Sequence, residues 1–223
     1  MTQTTHKTDH ELKTAIVDEL AWTPSVNADR IGVSVDAGAV TLSGQVETYP
    51  EKEAAMHAVM RVRGVTAVAD DTEVKNGLAP RDDADIAREA TEALERMVYF
   101  PSGTVHAKVH NKVITLSGVL PWEYQREATR GAMAGLRGVY GVINTITLKP
   151  KVTITPAAAK AKITEALVRS ARFDARHISV EVTGSEIELR GVVSSWAEYR
   201  QAGYTAWATP GVTDVKNRIT VTA

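Results

Sequence analysis

The sequence predicts an α+β protein of three tandem αββαβ sandwich units, each a three-stranded mixed sheet with two helices on one face. Three observations predict it. A strand ending in glycine is written three times, as Val40-Thr41-Leu42-Ser43-Gly44, Ile114-Thr115-Leu116-Ser117-Gly118 and Ile187-Glu188-Leu189-Arg190-Gly191. A Gly-Val pair follows each copy twenty residues on, at Gly64-Val65, Gly138-Val139 and Gly211-Val212, so both glycines recur at spacings of 74 and 73. A fixed period over a whole chain sets its architecture. Within each period the apolar spacing passes from helical to alternating and back in the same order.

The units are placed at 7–76, 81–149 and 154–222. A unit that small buries only about 60% of its unfolded surface. The three are therefore expected to pack on one another.

In the first unit, Thr8-Asp9-His10-Glu11 has the form of a capping box. Leu12, Ala15, Ile16 and Leu20 then share one helix face, and Trp22-Thr23-Pro24 ends the helix. Ile31, Val33 and Val35 alternate with polar or small residues as a half-buried strand. Asp36-Ala37-Gly38 turns the chain, and Val40, Leu42, Gly44 and Val46 return as a hairpin. Thr48-Tyr49-Pro50-Glu51 opens a second helix with another capping-box pattern. Its expected apolar face is Ala54, Ala55, Ala58, Val59 and Val62, with Gly64 at the C′ position. Val68, Asp70, Thr72 and Val74 form the last strand.

After the linker Asn76-Gly77-Leu78-Ala79-Pro80 the second unit repeats this order. Ile86, Ala90, Leu94 and Met97 share a face. Val105, Ala107 and Val109 pair with Ile114, Leu116 and Gly118. Ala128, Ala132 and Leu136 are expected to line its second helix, and Val142, Asn144, Ile146 and Leu148 its last strand. In the third unit Thr155-Pro156 reads as N-cap and N1, and Ile163, Ala166 and Leu167 as the helix face. Ile178, Val180 and Val182 pair with Ile187 and Leu189. Ser195-Trp196-Ala197-Glu198 is a further capping box, and Val215, Asn217, Ile219 and Val221 close the chain. One sheet face in each unit should remain bare and polar, a natural docking surface for a neighbouring unit, another subunit or a ligand.

Composition bounds function. The chain is 43% apolar and 24% charged, with a net charge of −1. That balance argues against a dedicated nucleic-acid binder. Net charge runs from −5 over residues 1–78 to +1 over 79–150 and +3 over 151–223. This is read as drift over solvated faces, with head-to-tail attraction between units as the alternative. There is no cysteine, which excludes disulfides, thiol catalysis and thiolate metal sites. Met1 to Leu20 lacks an apolar core of the signal-peptide type, and no run approaches the roughly 20 apolar residues of a membrane span. A cytoplasmic protein is expected, periplasmic only if an N-terminal signal was removed.

The order helix-strand-strand-helix-strand, the strand-end Leu-Ser-Gly, and the Gly-Val before a strand running Val-x-Asn-x-Ile resemble the BON domain, the bacterial OsmY and nodulation module. Asn144 and Asn217 fill the Asn slot, and Asp70 fills it in the first unit. The resemblance implies an αββαβ fold and no enzymatic activity. It also implies a role in osmotic or envelope stress, with binding to phospholipid or membrane surfaces or an envelope partner. The alternative it implies is a cytosolic small-cation (K⁺) sensor, or a transport-associated, self-assembling homo-oligomer. It carries no catalytic or ligand motif, and no cofactor is expected.

Gly44, Gly118 and Gly191 permit close backbone approach, and strand ends beneath the second helix are the favoured reading; Gly64, Gly138 and Gly211 are framework positions. His106, Lys108 and His110 lie on one strand face, a candidate anion or metal site, although a metal normally wants three or four ligands. Asp70, Asn144 and Asn217 sit at an apolar parity, where a polar side chain needs partners; local backbone bonds are favoured over a carbonyl-lined cation site. Trp122, Tyr124, Trp196 and Tyr199, with Tyr49, are read at corresponding second-helix starts. They are candidates for membrane or partner contact, the alternative being a staple onto the helix below. No catalytic constellation is found; Asp82-Asp83 is explained by a helix dipole.

Overall fold

The computed structural model describes residues 8–75, 81–151, 154–169 and 178–222. The predicted linker at 76–80 lies outside them. The first unit comprises α1 (Asp9–Ala21), β1 (Ile31–Asp36), β2 (Ala39–Val46), α2 (Tyr49–Val59) and β3 (Ala67–Val74). The second comprises α3 (Asp83–Glu95), β4 (Val105–His110), β5 (Val113–Leu120), α4 (Glu123–Ala134), β6 (Gly141–Asn144) and β7 (Thr147–Leu148). The third comprises α5 (Pro156–Arg169), β8 (Ile178–Thr183), β9 (Glu186–Val193), α6 (Trp196–Trp207) and β10 (Asp214–Val221).

Each sheet is mixed. The first strand pairs antiparallel with the second through a two-residue turn, and the third pairs parallel with the second after the helical crossover. In the second unit the third strand is interrupted at Thr145-Ile146, and both pieces, β6 and β7, run parallel to β5.

The hairpin turns are tied to the first helices. Ala37 and Gly38 have positive φ, as do Asn111 and Lys112. Such turns aim successive N–H groups into one concavity. The Asp9 carboxylate accepts from Ala37 and Gly38 at 2.9 and 3.1 Å, and Asp83 accepts from Asn111 and Lys112 at 2.8 Å each. The third unit has Pro156 at that position.

Gly44 and Gly118 lie within strands at φ +113° and +147°. A Cβ on Gly44 would meet the Arg30 carbonyl oxygen at 2.2 Å, and one on Gly118 the Thr104 oxygen at 2.4 Å. Two backbones cross there with no room for a side chain. Gly191 shares φ +147°.

Each unit has its own apolar core between sheet and helices. Leu12, Ile16 and Leu20 of α1, Ile86, Ala90 and Leu94 of α3, and Ala159, Ile163 and Leu167 of α5 are the buried stripes of the first helices.

Four expectations are corrected. The buried face of α4 is Gln125, Thr129, Met133 and Ala134, not Ala128, Ala132 and Leu136, which are only partly buried. Polar residues can occupy it because they are bonded internally: Thr129 Oγ1 donates to the Gln125 carbonyl at 2.7 Å, and Gln125 Nε2 to the Tyr99 carbonyl at 2.6 Å. Gly64 is not the C′ residue of α2, whose C-cap is Met60; it sits in the turn beyond. The second-helix acids do not close a reciprocal box on their N-caps: Glu51 accepts from Glu47 N–H and Asn27 N–H, and Glu198 from Ser194 N–H. Finally, the units meet through their second helices rather than through the bare sheet faces.

The first helices are exposed along one side, as surface helices should be. The second helices are covered nearly all round. Only Pro50 of α2 is exposed, only Tyr124 and Gly131 of α4, and only Ala197 and Tyr204 of α6. One side of each rests on its own sheet, and the other meets another unit.

Candidate interaction surfaces at the helix junction

The junction is cyclic: the N-terminal half of each second helix meets the C-terminal half of the next, the third returning to the first. Where α2 meets α4, Glu53 pairs with Arg130 at 2.6 Å, and Arg130 also holds Glu127 at 2.8 Å. Tyr49 packs against both the first and the second core. Its hydroxyl bonds Glu53 and the backbone of Val142; burial, then the charge of Glu53, pushes the phenol above its ordinary pKa.

Where α4 meets α6, the Arg126 guanidinium lies over the Trp207 ring, 4.7 Å from its centroid, a cation–π geometry. Arg126 also pairs with Glu123 at 2.6 Å. Burial raises the Glu123 pKa, Arg126 opposes the shift, and Glu127 adds to it. Where α6 meets α2, Trp196 packs on the first core and edge-on to Tyr199, with centroids 5.1 Å apart. His57 stands beside Arg200; burial first, then Arg200, holds its pKa below 6.5.

By repeat spacing the first residue of each second helix is Tyr49, Glu123 or Trp196. Two of these are aromatic plugs set into the next unit, and the third is a carboxylate. Trp122 is therefore not the partner of Tyr49 and Trp196. It occupies the N-cap position, where Thr48 and Ser195 cap α2 and α6, and it makes no capping bond. At the joint with the carboxylate a cavity of about 420 Å³ opens between α4 and α6, walled by Trp122, Tyr124, Tyr204 and Trp207 with Glu123 and Glu127. Tyr124 is 60% and Tyr204 53% exposed, and Tyr99 packs edge-on to Tyr124.

The five aromatic candidates thus divide. Trp122 and Tyr124 border this open groove. Tyr49 and Trp196 lie between units, and Tyr199 is part of the third core, its hydroxyl donating to the Asn217 carbonyl at 3.1 Å. His106, Lys108 and His110 lie exposed along β4. Among the described residues, no three His, Cys, Asp or Glu side chains are grouped to hold a metal ion.

The polar residues at the apolar parity are bonded to backbone. Asn144 donates to the Arg126 carbonyl and accepts from Ile146 N–H, both at 3.2 Å. Asn217 does the same with Tyr199 and Ile219 at 2.9 and 3.3 Å. Asp70 cannot donate, and Lys52 reaches it at 3.4 Å instead.

The sequence model of the BON domain matches residues 8–76, 82–150 and 156–223. The chain belongs to the BON domain family. This BON protein is 29% identical over 142 residues to the osmotically-inducible protein Y of Escherichia coli K12, a match covering 61% of this chain and 71% of that protein. Among solved structures it is similar to CdsD, a structural protein of the Type III secretion system of Chlamydia trachomatis. Identity is 17%, coverage is 94% of this chain and 91% of that one, and the TM-score is 0.27. No helix among the described residues of the BON protein is long and apolar enough to cross a membrane.

Sequence reasoning missed Glu123, Tyr204, Trp207 and the Glu53–Arg130 pair. The register of the three copies at the first helical position held the signal for Glu123. The cross-unit partners had none, because no local pattern encodes which helix meets which.

Proposed function

We propose that this protein is a non-catalytic, osmotic- or envelope-stress adaptor that engages a phospholipid surface through the aromatic rim of the α4–α6 groove. The observation that carries this reading is the placement of Trp122, Tyr124 and Tyr204 around an open groove, with both tyrosines more than half exposed. Rings with an apolar body and a polar tip suit a boundary between water and hydrocarbon. The likeness to osmotically-inducible protein Y supports the stress association.

Co-sedimentation with anionic phospholipid vesicles tests the reading. The parent protein is expected to pellet with vesicles. The Trp122→Ala plus Tyr124→Ala variant is expected to remain largely in the supernatant, with its melting temperature nearly unchanged. A parent that never pellets ends the lipid reading.

A further inference from the structure

We propose that the second unit holds a ligand site absent from the first, and that it takes a small aromatic carboxylate bearing an O–H or N–H donor. The site is a cavity of about 490 Å³ between the loop after α3, the end of β5 and the start of α4. The same position in the first unit is a cavity of about 630 Å³, lined by Asp29, Glu47 and Glu51 among others. The two differ in chemistry for a traceable reason.

In the first unit Glu51 accepts the N–H groups of Asn27 and Glu47 at 2.9 and 2.8 Å. One period on, at 74 residues, both donor positions are proline, Pro101 and Pro121, and the acceptor position is Gln125. Proline has no N–H. With both donors deleted, a carboxylate there would be buried without partners, and glutamine replaces it. Gln125 Nε2 donates to the Tyr99 carbonyl, which fixes the orientation of the amide. Its Oε1 is buried and has no hydrogen-bond partner, while the residue as a whole is 5% exposed. A buried acceptor left open is costly, and Gln125 is one of the residues lining the cavity.

The rest of the wall defines what would fill the cavity. Tyr99, Phe100 and Trp122 supply rings, with prolines between them. Lys149 and Lys151 stand at the rim. Both are exposed, and neither has an ion-pair partner among the described residues. Among the described residues no acid lines this cavity, whereas three line its counterpart in the first unit. An aromatic ring between the rings, a donor facing Gln125 Oε1 and a carboxylate facing the lysines match the three features together. The site is separate from the α4–α6 groove, with Trp122 as the shared wall.

Calorimetric titration of the full chain with 4-hydroxyphenylacetate and with phenylacetate tests this. The hydroxylated probe is expected to bind at one saturable site, about 10-fold more tightly than phenylacetate. Gln125→Leu should abolish that preference. Lys149→Ala plus Lys151→Ala, which touches only exposed side chains, should weaken both probes about 10-fold and remove the salt dependence. Absence of saturable binding by the parent at millimolar probe would overturn the proposal. So would a preference that survives Gln125→Leu, or affinities indifferent to the lysine pair. Vesicle binding is scored separately, so either reading can fail alone.

Discussion

Gly118 shows how little tolerance some single positions have. Its φ of +147° is a region L-residues avoid, and its missing Cβ is where the Thr104 carbonyl passes. The backbone of β4 cannot move away without losing its register with β5, in which Val105 faces Gly118. Gly118→Ala is expected to destabilise the protein by at least about 2 kcal/mol, combining the backbone cost with the clash. In thermal unfolding that is a fall of several degrees. An unchanged melting temperature would show that the crossing can relax. The opposite case is Gly103, which has positive φ but open space around the missing Cβ. There substitution carries only the backbone cost.

At the scale of elements, the second helices are defined by having two buried sides. Their small residues, such as Ala55 and Ala58 in α2 and Ala202 and Ala206 in α6, let each helix approach its sheet. The other side carries charges paired across units. Glu53 and Arg130 are 27% and 24% exposed, so their interaction is less screened than that of a surface pair. A double-mutant cycle with Glu53→Gln and Arg130→Gln is expected to yield a coupling of about 1 kcal/mol, read by chemical denaturation. Additive effects would mean the two helices do not hold this contact in solution.

Strands, hairpin turns and first-helix stripes follow from periodicity, because each is decided by burial against the unit's own core. The stripe of α4 did not follow, because Gln125 and Thr129 each donate to a nearby backbone carbonyl and so can be buried despite being polar. The role of Trp196 did not follow either, since a tryptophan at a helix start reads alike whether it faces lipid, solvent or another unit. The orphaned acceptor of Gln125 was in principle readable: two prolines stand where the first unit has donors, and only superposition of the copies reveals it.

At the scale of the whole molecule, the cyclic junction makes each unit's stability depend on the others, and pH should reveal this. His57 lies where the ring closes, among Arg200, Arg130 and Arg61, with the charge of Glu53 opposing them. Burial and these arginines lower its pKa below the unfolded value of 6.5. Between the two values the unfolded chain binds more protons than the folded one, so stability rises with pH in that window. The contribution is complete above 6.5 and is lost as pH falls toward the depressed value. Glu123 at the neighbouring joint has the opposite sign. Its pKa is raised above 4.5 by burial, so the folded chain binds more protons just above that value and stability declines there as pH rises. A melting curve followed from about pH 7 down to about pH 5.5 should therefore fall, and His57→Gln should remove part of the fall, because its amide cannot charge. Glu123→Gln should leave the His57 window intact and flatten the acid side instead. Hydrogen exchange places the effect: on acidification the amides of α2 and α6 should lose protection before those of α3, since the joint that loosens is theirs. An identical pH slope in the parent and His57→Gln proteins would mean that the ring does not close through His57 and Arg200.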